Sequence, residues 1–429
     1  MASLVRARPR NKESSHPPLE QMMIPSRFVN VDQARQCFGS HVDRLAPFLM
    51  QGDPLADAVV SLFARMPPGK GRKLLDAALA NGIGNVTGAP QPLKELFAHV
   101  EDMPFWLDRN QLELAGATHR RCGITGGLVL ACCALPLIYG SPAMNKPLVF
   151  SRRLVERAAR RLSETARFVA ETCLPGGLKP YAEGWKITVK VRLMHAQVRR
   201  LLSQSGRWDT AAWGVPVNQV DMIHTNLLFS VGLLDSLRKV GFHVSAAEGE
   251  AVMQLWRYSG YLLGTDPTLL CATEEEGRRM LALICSTEEP PDRDARDLTD
   301  ALMKTAIPHV VLAGNANADR HRQRLTGFCY GLSYALIGSQ VAAHLEYPPT
   351  WWRYTARGLT RAFITPVEML RRLMPGGHRR AVARGTARVR KRLDQNKTAV
   401  HASFVMAEKL HEGESEPSVR SAGEKSHAG

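Results

Sequence analysis

The chain has 429 residues, 45% apolar and 22% charged, with 56 Lys and Arg against 40 Asp and Glu, a net charge of +16. The apolar share excludes a largely disordered chain, 8 Cys are too few for a disulfide scaffold, and 34 Gly follow no collagen period. The length permits one large core without staples, and the charge raises the question of an anionic partner.

Residues 1–30 read as a disordered tail. Arg6, Arg8, Arg10 and Lys12 are followed by acids and Pro17-Pro18 rather than by an apolar stretch, so no signal peptide is expected. The expected setting is a reducing cytoplasm with free thiols. Strand-like alternation is rare and no fixed repeat occurs, whereas helical spacing recurs. Helices are expected over 53–66, 70–82, 91–101, 109–121, 124–139, 151–173, 184–205, 218–239, 246–263, 273–284, 294–305, 317–345, 350–374 and 378–395. Asp108 is a start signal, Gly176-Gly177 follows a helix end, and Pro216 precedes a new helix. From Cys122 to Asn145 there is no charge. That run is long enough to span a bilayer, but Pro136, Gly140 and Pro142 break it, so it reads as a buried core helix rather than a membrane span. The preceding Arg120-Arg121 lies too deep in the chain for an export signal.

Three helices carry candidate chemistry. On the first, Arg161 and Thr165 share the apolar stripe of Leu154, Ala158, Phe168 and Val169. A guanidinium and a hydroxyl there need partners, either an internal ion pair or a bound polar group. Glu164 lies beside them. On the second, Ile187, Val191, Met194, Val198 and Leu202 form a stripe with His195 at its edge and Thr188, Arg192 and Arg199 on its flank. An imidazole on an apolar face beside cations favours its neutral form, the form that ligates a metal. The plain alternative is a core histidine. On the third, Asp221, Thr225 and Phe229 share a face. Thr225 reads first as a hydroxyl bonded to the carbonyl four residues back, and His224 as structural. No zinc, di-iron, nucleotide-binding or nucleophile-elbow spacing is found. One His on an apolar helix, with Arg and Thr nearby, suits a cofactor held by a single axial ligand. Haem is the first candidate, with Arg192 and Arg199 able to meet its propionates.

At these residues the sequence resembles the latex-clearing-protein/MpaB-type oxygenases. The matching text is Leu135-Pro-Leu-Ile-Tyr-Gly-Ser-Pro, Arg161-x-x-x-Thr165 and Lys190-Val-Arg-Leu-Met-His-Ala-x-Val-Arg199. Pro216-Val-Asn-Gln-x-Asp221 through Thr225, and Leu255-Trp-Arg-Tyr-Ser-Gly-Tyr-Leu-Leu-Gly264, complete it. The resemblance covers about residues 95–345. It implies an all-α fold, a single large helical domain with a globin-like core and one haem b. It implies His195 as the iron ligand, with Arg161, Thr165 and Thr225 as pocket residues. The implied reaction is dioxygen-dependent cleavage or oxidation of a carbon–carbon double bond in an isoprenoid or lipid-like chain. The alternative is a non-catalytic haem sensor or carrier of the same fold. Rubber-degrading members carry a Lys where this chain has Glu164, and an acid where it reads Met144-Asn-Lys-Pro. The implied substrate is a hydrophobic small-molecule or polymer alkene.

The expected organisation is a haem domain over 31–347, a basic C-terminal helical extension over 348–400 and a mostly disordered tail over 401–429. Residues 346–400 supply about +10 of the charge by count of the sequence. Basic residues interleaved with Trp351-Trp352, Phe363 and Leu370 suggest peripheral membrane contact through 350–397. No nucleic-acid motif accompanies them, so no nucleic-acid partner is expected.

Overall fold

Helix follows helix from Val31 to Ala399, and no strand occurs among the described residues. The structure, a computed structural model, describes residues 23–150, 154–307 and 318–399. The side chains of 154–161, 306, 318–320 and 396–399 lie outside the description. The helices that position the site are α1 (Pro54–Phe63), α2 (Arg109–Val129), α3 (Leu154–Thr172), α4 (Glu183–Gln204), α5 (Gln219–Phe229), α6 (Ala246–Leu262), α7 (Trp352–Leu373) and α8 (Gly377–Ala399). The all-α expectation holds.

Local sequence sets several starts. Asp53 caps α1 by accepting from the Ala56 N–H, with Pro54 at the first helical position. Asn218 accepts from Val220 and Asp221 at the start of α5. Ser245 and Glu248 form a reciprocal capping box on α6. Asp108 caps α2, as its position before the apolar pattern predicts. α4 then packs between α1 and α3, while α2 lies along α6 and against the α7–α8 hairpin. Trp185, Trp256, Tyr258 and Phe97 are among the largest fully buried side chains. Their burial contributes roughly 1.5–3 kcal/mol per large apolar group against the cost of chain ordering.

The structure revises several boundaries. The 218–239 helix is two, α5 and Val231–Lys239, broken at Ser230, whose ψ of −93° leaves the helical region. The 317–345 helix is also two, Ala318–Ile337 and Ser339–His344, separated by Gly338 at φ 91°. Short helices at Val31–Phe38, His41–Leu45, Pro142–Val149 and Thr210–Trp213 were not anticipated. The charge-free run continues from α2 through a π turn at Leu130–Ala134 into Leu135–Gly140, so Pro136 lies within a continuous helix just after the π turn and does not break it. The interruption falls at Gly123, whose φ of 52° and ψ of −128° no side chain favours. Arg109–Gly140 is long and apolar enough to cross a membrane, but 56% of its apolar window is buried inside the fold. Residues 1–22 of the expected tail lie outside the described residues, and 26–29 are bonded to the body. Ser26 and Arg27 donate to the Ala211 and Ala212 carbonyls, and Val29 to that of Thr287.

Candidate functional site

α4 is buried on most of its circumference, through Trp185, Val189, Arg192, Leu193, Ala196 and Arg199. One stripe differs. Val191, Met194, His195 and Val198, spaced i, i+3, i+4 and i+7, all remain partly exposed. Side chains packed against this stripe do not close it off completely. α3 packs beside α4, and every residue from Leu162 to Ala170 is likewise partly exposed, Glu164 and Thr165 among them. Two adjacent helices that both stay half-open define the candidate site. The stripe is apolar except for one imidazole. It therefore fits a flat, largely apolar group that needs one coordinating nitrogen. Among the described residues no cluster of three or more His, Cys, Asp or Glu is placed to hold a bare metal ion.

The structure gives Arg192 and Arg199 protein partners that helical spacing did not suggest. Both leave the stripe and turn to α1. Arg192 grips Asp53 with two hydrogen bonds, 2.6 Å from Nε and 2.9 Å from Nη2, and its Nη1 lies 3.2 Å from the His99 Nδ1. Arg199 donates from Nε to Asp57 at 2.9 and 3.0 Å, and from Nη1 to the Val217 carbonyl at 2.6 Å. Both guanidiniums are thus committed to α1 rather than to the stripe. They anchor the stripe-bearing helix from behind. Gly264 makes the first pair possible: at φ 84° a Cβ would stand 2.2 Å from the Asp53 Oδ2. Val217 is β-branched yet has φ 52°, a strained value held by the Arg199 bond at the entrance to α5. Burial, aided by Arg192, pushes His99 down to about 4, so it is neutral beside the pair.

Thr225 stays partly exposed on α5, but its hydroxyl donates to the Asp221 carbonyl at 2.9 Å, the ordinary helical back-bond. The Arg161 side chain lies outside the described residues. In Met144-Asn-Lys-Pro, Asn145 donates to the Tyr139 carbonyl, and Lys146 bridges Asp292 and Asp294 at 2.8 and 2.6 Å.

Two assemblies on the surrounding helices were not predicted. Trp256 on α6 donates from Nε1 to the His119 Nε2 at 3.2 Å, and its ring sits 6.2 Å from Phe168 on α3 and 5.1 Å from Phe229 on α5. It wedges together the helices that carry Thr165 and Thr225. Burial lowers His119 to about 4, which keeps its Nε2 an acceptor. The second is a buried ionic chain. Arg27 meets Asp221 at 2.9 Å, His224 meets Glu288 at 3.1 Å, and Ser141 donates to Glu288 at 3.0 Å. Burial opposes the charge on His224, but Glu288 and Cys285 outweigh it and push His224 up to about 10. Burial likewise opposes the Glu288 charge, and His224, Arg27 and Ser141 hold it below the usual carboxylate range. His224 is thus structural, as its position off the Thr225 face suggested. A sequence signal for Asp53 existed in its helix cap, but nothing local pointed to Arg192, 139 residues away.

Comparison with known proteins places this site in context. Residues 119–368 match the family model described as ER-bound oxygenase mpaB/B'/rubber oxygenase, catalytic domain. The match begins at His119 and ends at Glu368, so it runs past the expected boundary at 347 into the basic extension. A rubber oxygenase from Streptomyces sp. (strain K30) is 26% identical over 188 residues, 43% of this chain and 46% of the relative. The matched region thus spans about half the length of that relative. The solved structure of latex clearing protein LCP in the closed state superposes with a TM-score of 0.62 at 20% identity, over 79% of this chain and 91% of that one, a likeness of fold.

Proposed function

The chain belongs to the ER-bound oxygenase mpaB/B'/rubber oxygenase catalytic-domain family, and from that premise we propose that it is a haem b-dependent oxygenase acting on a carbon–carbon double bond. The substrate class is an isoprenoid, terpenoid or lipid-like alkene. The observation that carries the reading is His195, the one titratable group on a half-open apolar stripe in the middle of the matched region. His195 would hold the iron. Bound haem would supply the redox chemistry with dioxygen that converts one C=C into two carbonyl ends, both oxygen atoms entering product.

The chain's own residues do the rest. Val191, Met194 and Val198 offer an apolar lining that favours a flat hydrophobic group and excludes water. Arg192 and Arg199 fix the rotation of α4 by their grip on Asp53 and Asp57, and so aim His195. By the family resemblance, Thr165 and Glu164 on the neighbouring helix would orient polar ends in the pocket. The resemblance adds Arg161, whose side chain lies outside the described residues, as a cationic pocket residue. Thr225 adds a hydroxyl whose proton is already placed on the Asp221 carbonyl, so it accepts rather than donates. Peripheral contact with a membrane through residues 350–397 belongs to the same reading, because a water-insoluble alkene partitions into lipid.

The test is product formation. Haem-loaded protein incubated with a panel of isoprenoid alkenes in air is expected to consume one dioxygen per bond cleaved and to yield aldehyde or ketone ends. Haem binding with no oxygen consumption across the panel would overturn the oxygenase reading in favour of a haem carrier.

A further inference from the structure

α7 leaves an apolar stripe uncovered. At 100° per residue, Leu359, Phe363, Val367, Leu370 and Leu373 fall within a sector of about 120°. All are exposed, Phe363 by 75% and Leu373 by 79%. Exposed apolar residues scattered singly need no explanation; a stripe over four turns of one helix does. The opposite face of α7 is held to the body by buried Glu368, which Arg121 of α2 binds at 2.7 Å. The stripe therefore projects outward from a fixed helix.

The charge around it has one sign. From Trp351 to Leu393 the sequence holds twelve Lys and Arg and a single acid, Glu368, which Arg121 and Arg371 neutralise. The cations also reach the end of the stripe. At the tip of the α7–α8 hairpin, Arg371, Arg372, His378 and Arg379 line an open recess of about 560 Å³, with Leu373 and Met374 on its rim. Apolar side chains bordering a cationic recess match a surface that pairs hydrocarbon with anionic headgroups. A second copy of this chain would bring the same excess of cations against itself and be repelled.

We propose that the α7–α8 hairpin docks in the plane of an anionic phospholipid bilayer. The Phe363–Leu370 stripe enters the acyl boundary, and Arg372 and Arg379 bind headgroup phosphates at the tip. This deepens the peripheral contact in the proposed function by naming its face and its lipid. It does not depend on haem, so its failure and the failure of the oxygenase reading are separable.

The test uses the full chain and vesicles of phosphatidylcholine, alone or mixed with phosphatidylglycerol. The protein is expected to co-sediment with the mixed vesicles and to release as salt rises. The pairs Phe363→Asp with Leu370→Asp, and Arg372→Gln with Arg379→Gln, are each expected to weaken binding about tenfold or more with unchanged helical circular dichroism. Four results would overturn the proposal: no binding to mixed vesicles, equal binding to neutral ones, binding unchanged in both variant pairs, or an apolar variant that turns a dimer into a monomer without altering vesicle binding.

Discussion

Arg192 shows how a residue's position can be legible in the sequence while its protein partner is not. Its place beside the His195 stripe follows from helical spacing. Its partner does not, because Asp53 lies 139 residues away and no local pattern encodes such a pairing. The buried pair yields two expectations. Removing one partner leaves a buried charge, so Asp53→Ala should cost about 3–5 kcal/mol in a urea melt. Replacing both, as Asp53→Leu with Arg192→Met, should recover much of that loss and retain haem. Loss of haem from the folded double variant would return Arg192 to the cofactor. Gly264 provides a third expectation at this scale. Gly264→Ala, at φ 84° with Asp53 in the way, should destabilise by about 1–3 kcal/mol. A stability equal to wild type in the same melt would show that the close approach is not needed.

Among the elements, the long helices and the interruption at Gly123 were legible, whereas the short helices and the breaks at Ser230 and Gly338 were not. Caps at Asp108 and the periodicity of α4 and α6 carried their message locally. Ser230, which ends α5, is neither Gly nor Pro; its break is made by tertiary packing. The half-open state of the Val191–Val198 stripe was also invisible, since periodicity gives a face but not what covers it. His195 stood out as one imidazole on that face, and the family resemblance gave it a role. The ionic chain that seats α5 was missed because its members, Arg27, Ser141, Asp221, His224 and Glu288, come from distant segments. It sets a pH expectation. The folded-state value of His224 is raised from 6.5 to about 10. Its contribution is therefore full below 6.5 and is lost as pH rises through 10. The stability difference between wild type and His224→Gln, measured by thermal melting, should shrink from pH 6.5 toward 10. A difference that grows over that range would contradict the assignment.

At the scale of the whole molecule, the charge of +16 is distributed by purpose. Its excess lies in the α7–α8 hairpin, outside the site, and the body is only mildly basic. The hairpin is nevertheless no appendage. Arg121, buried between Glu248 and Glu368 at 2.7 Å from each and 4.3 Å from the Phe242 ring centroid, ties α2, α6 and α7 into one unit. The arginine doublet that resembled an export signal is thus a structural tie: Arg120 bonds the Cys173 carbonyl and Arg121 holds the hairpin. Burial opposes the Glu248 charge, but the Ser245 N–H and Arg121 hold it below the usual carboxylate range, so this tie loosens only as pH falls through that low value. The body so assembled surrounds a half-open stripe whose one imidazole is His195, and the account stands on that residue. Titration of haem into the purified full chain, followed by visible absorption, tests it most directly. A Soret band saturating at one haem per chain is expected, with its loss or marked weakening in His195→Ala and helical circular dichroism unchanged. No Soret band with excess haem, or equal haem binding by His195→Ala, would contradict it.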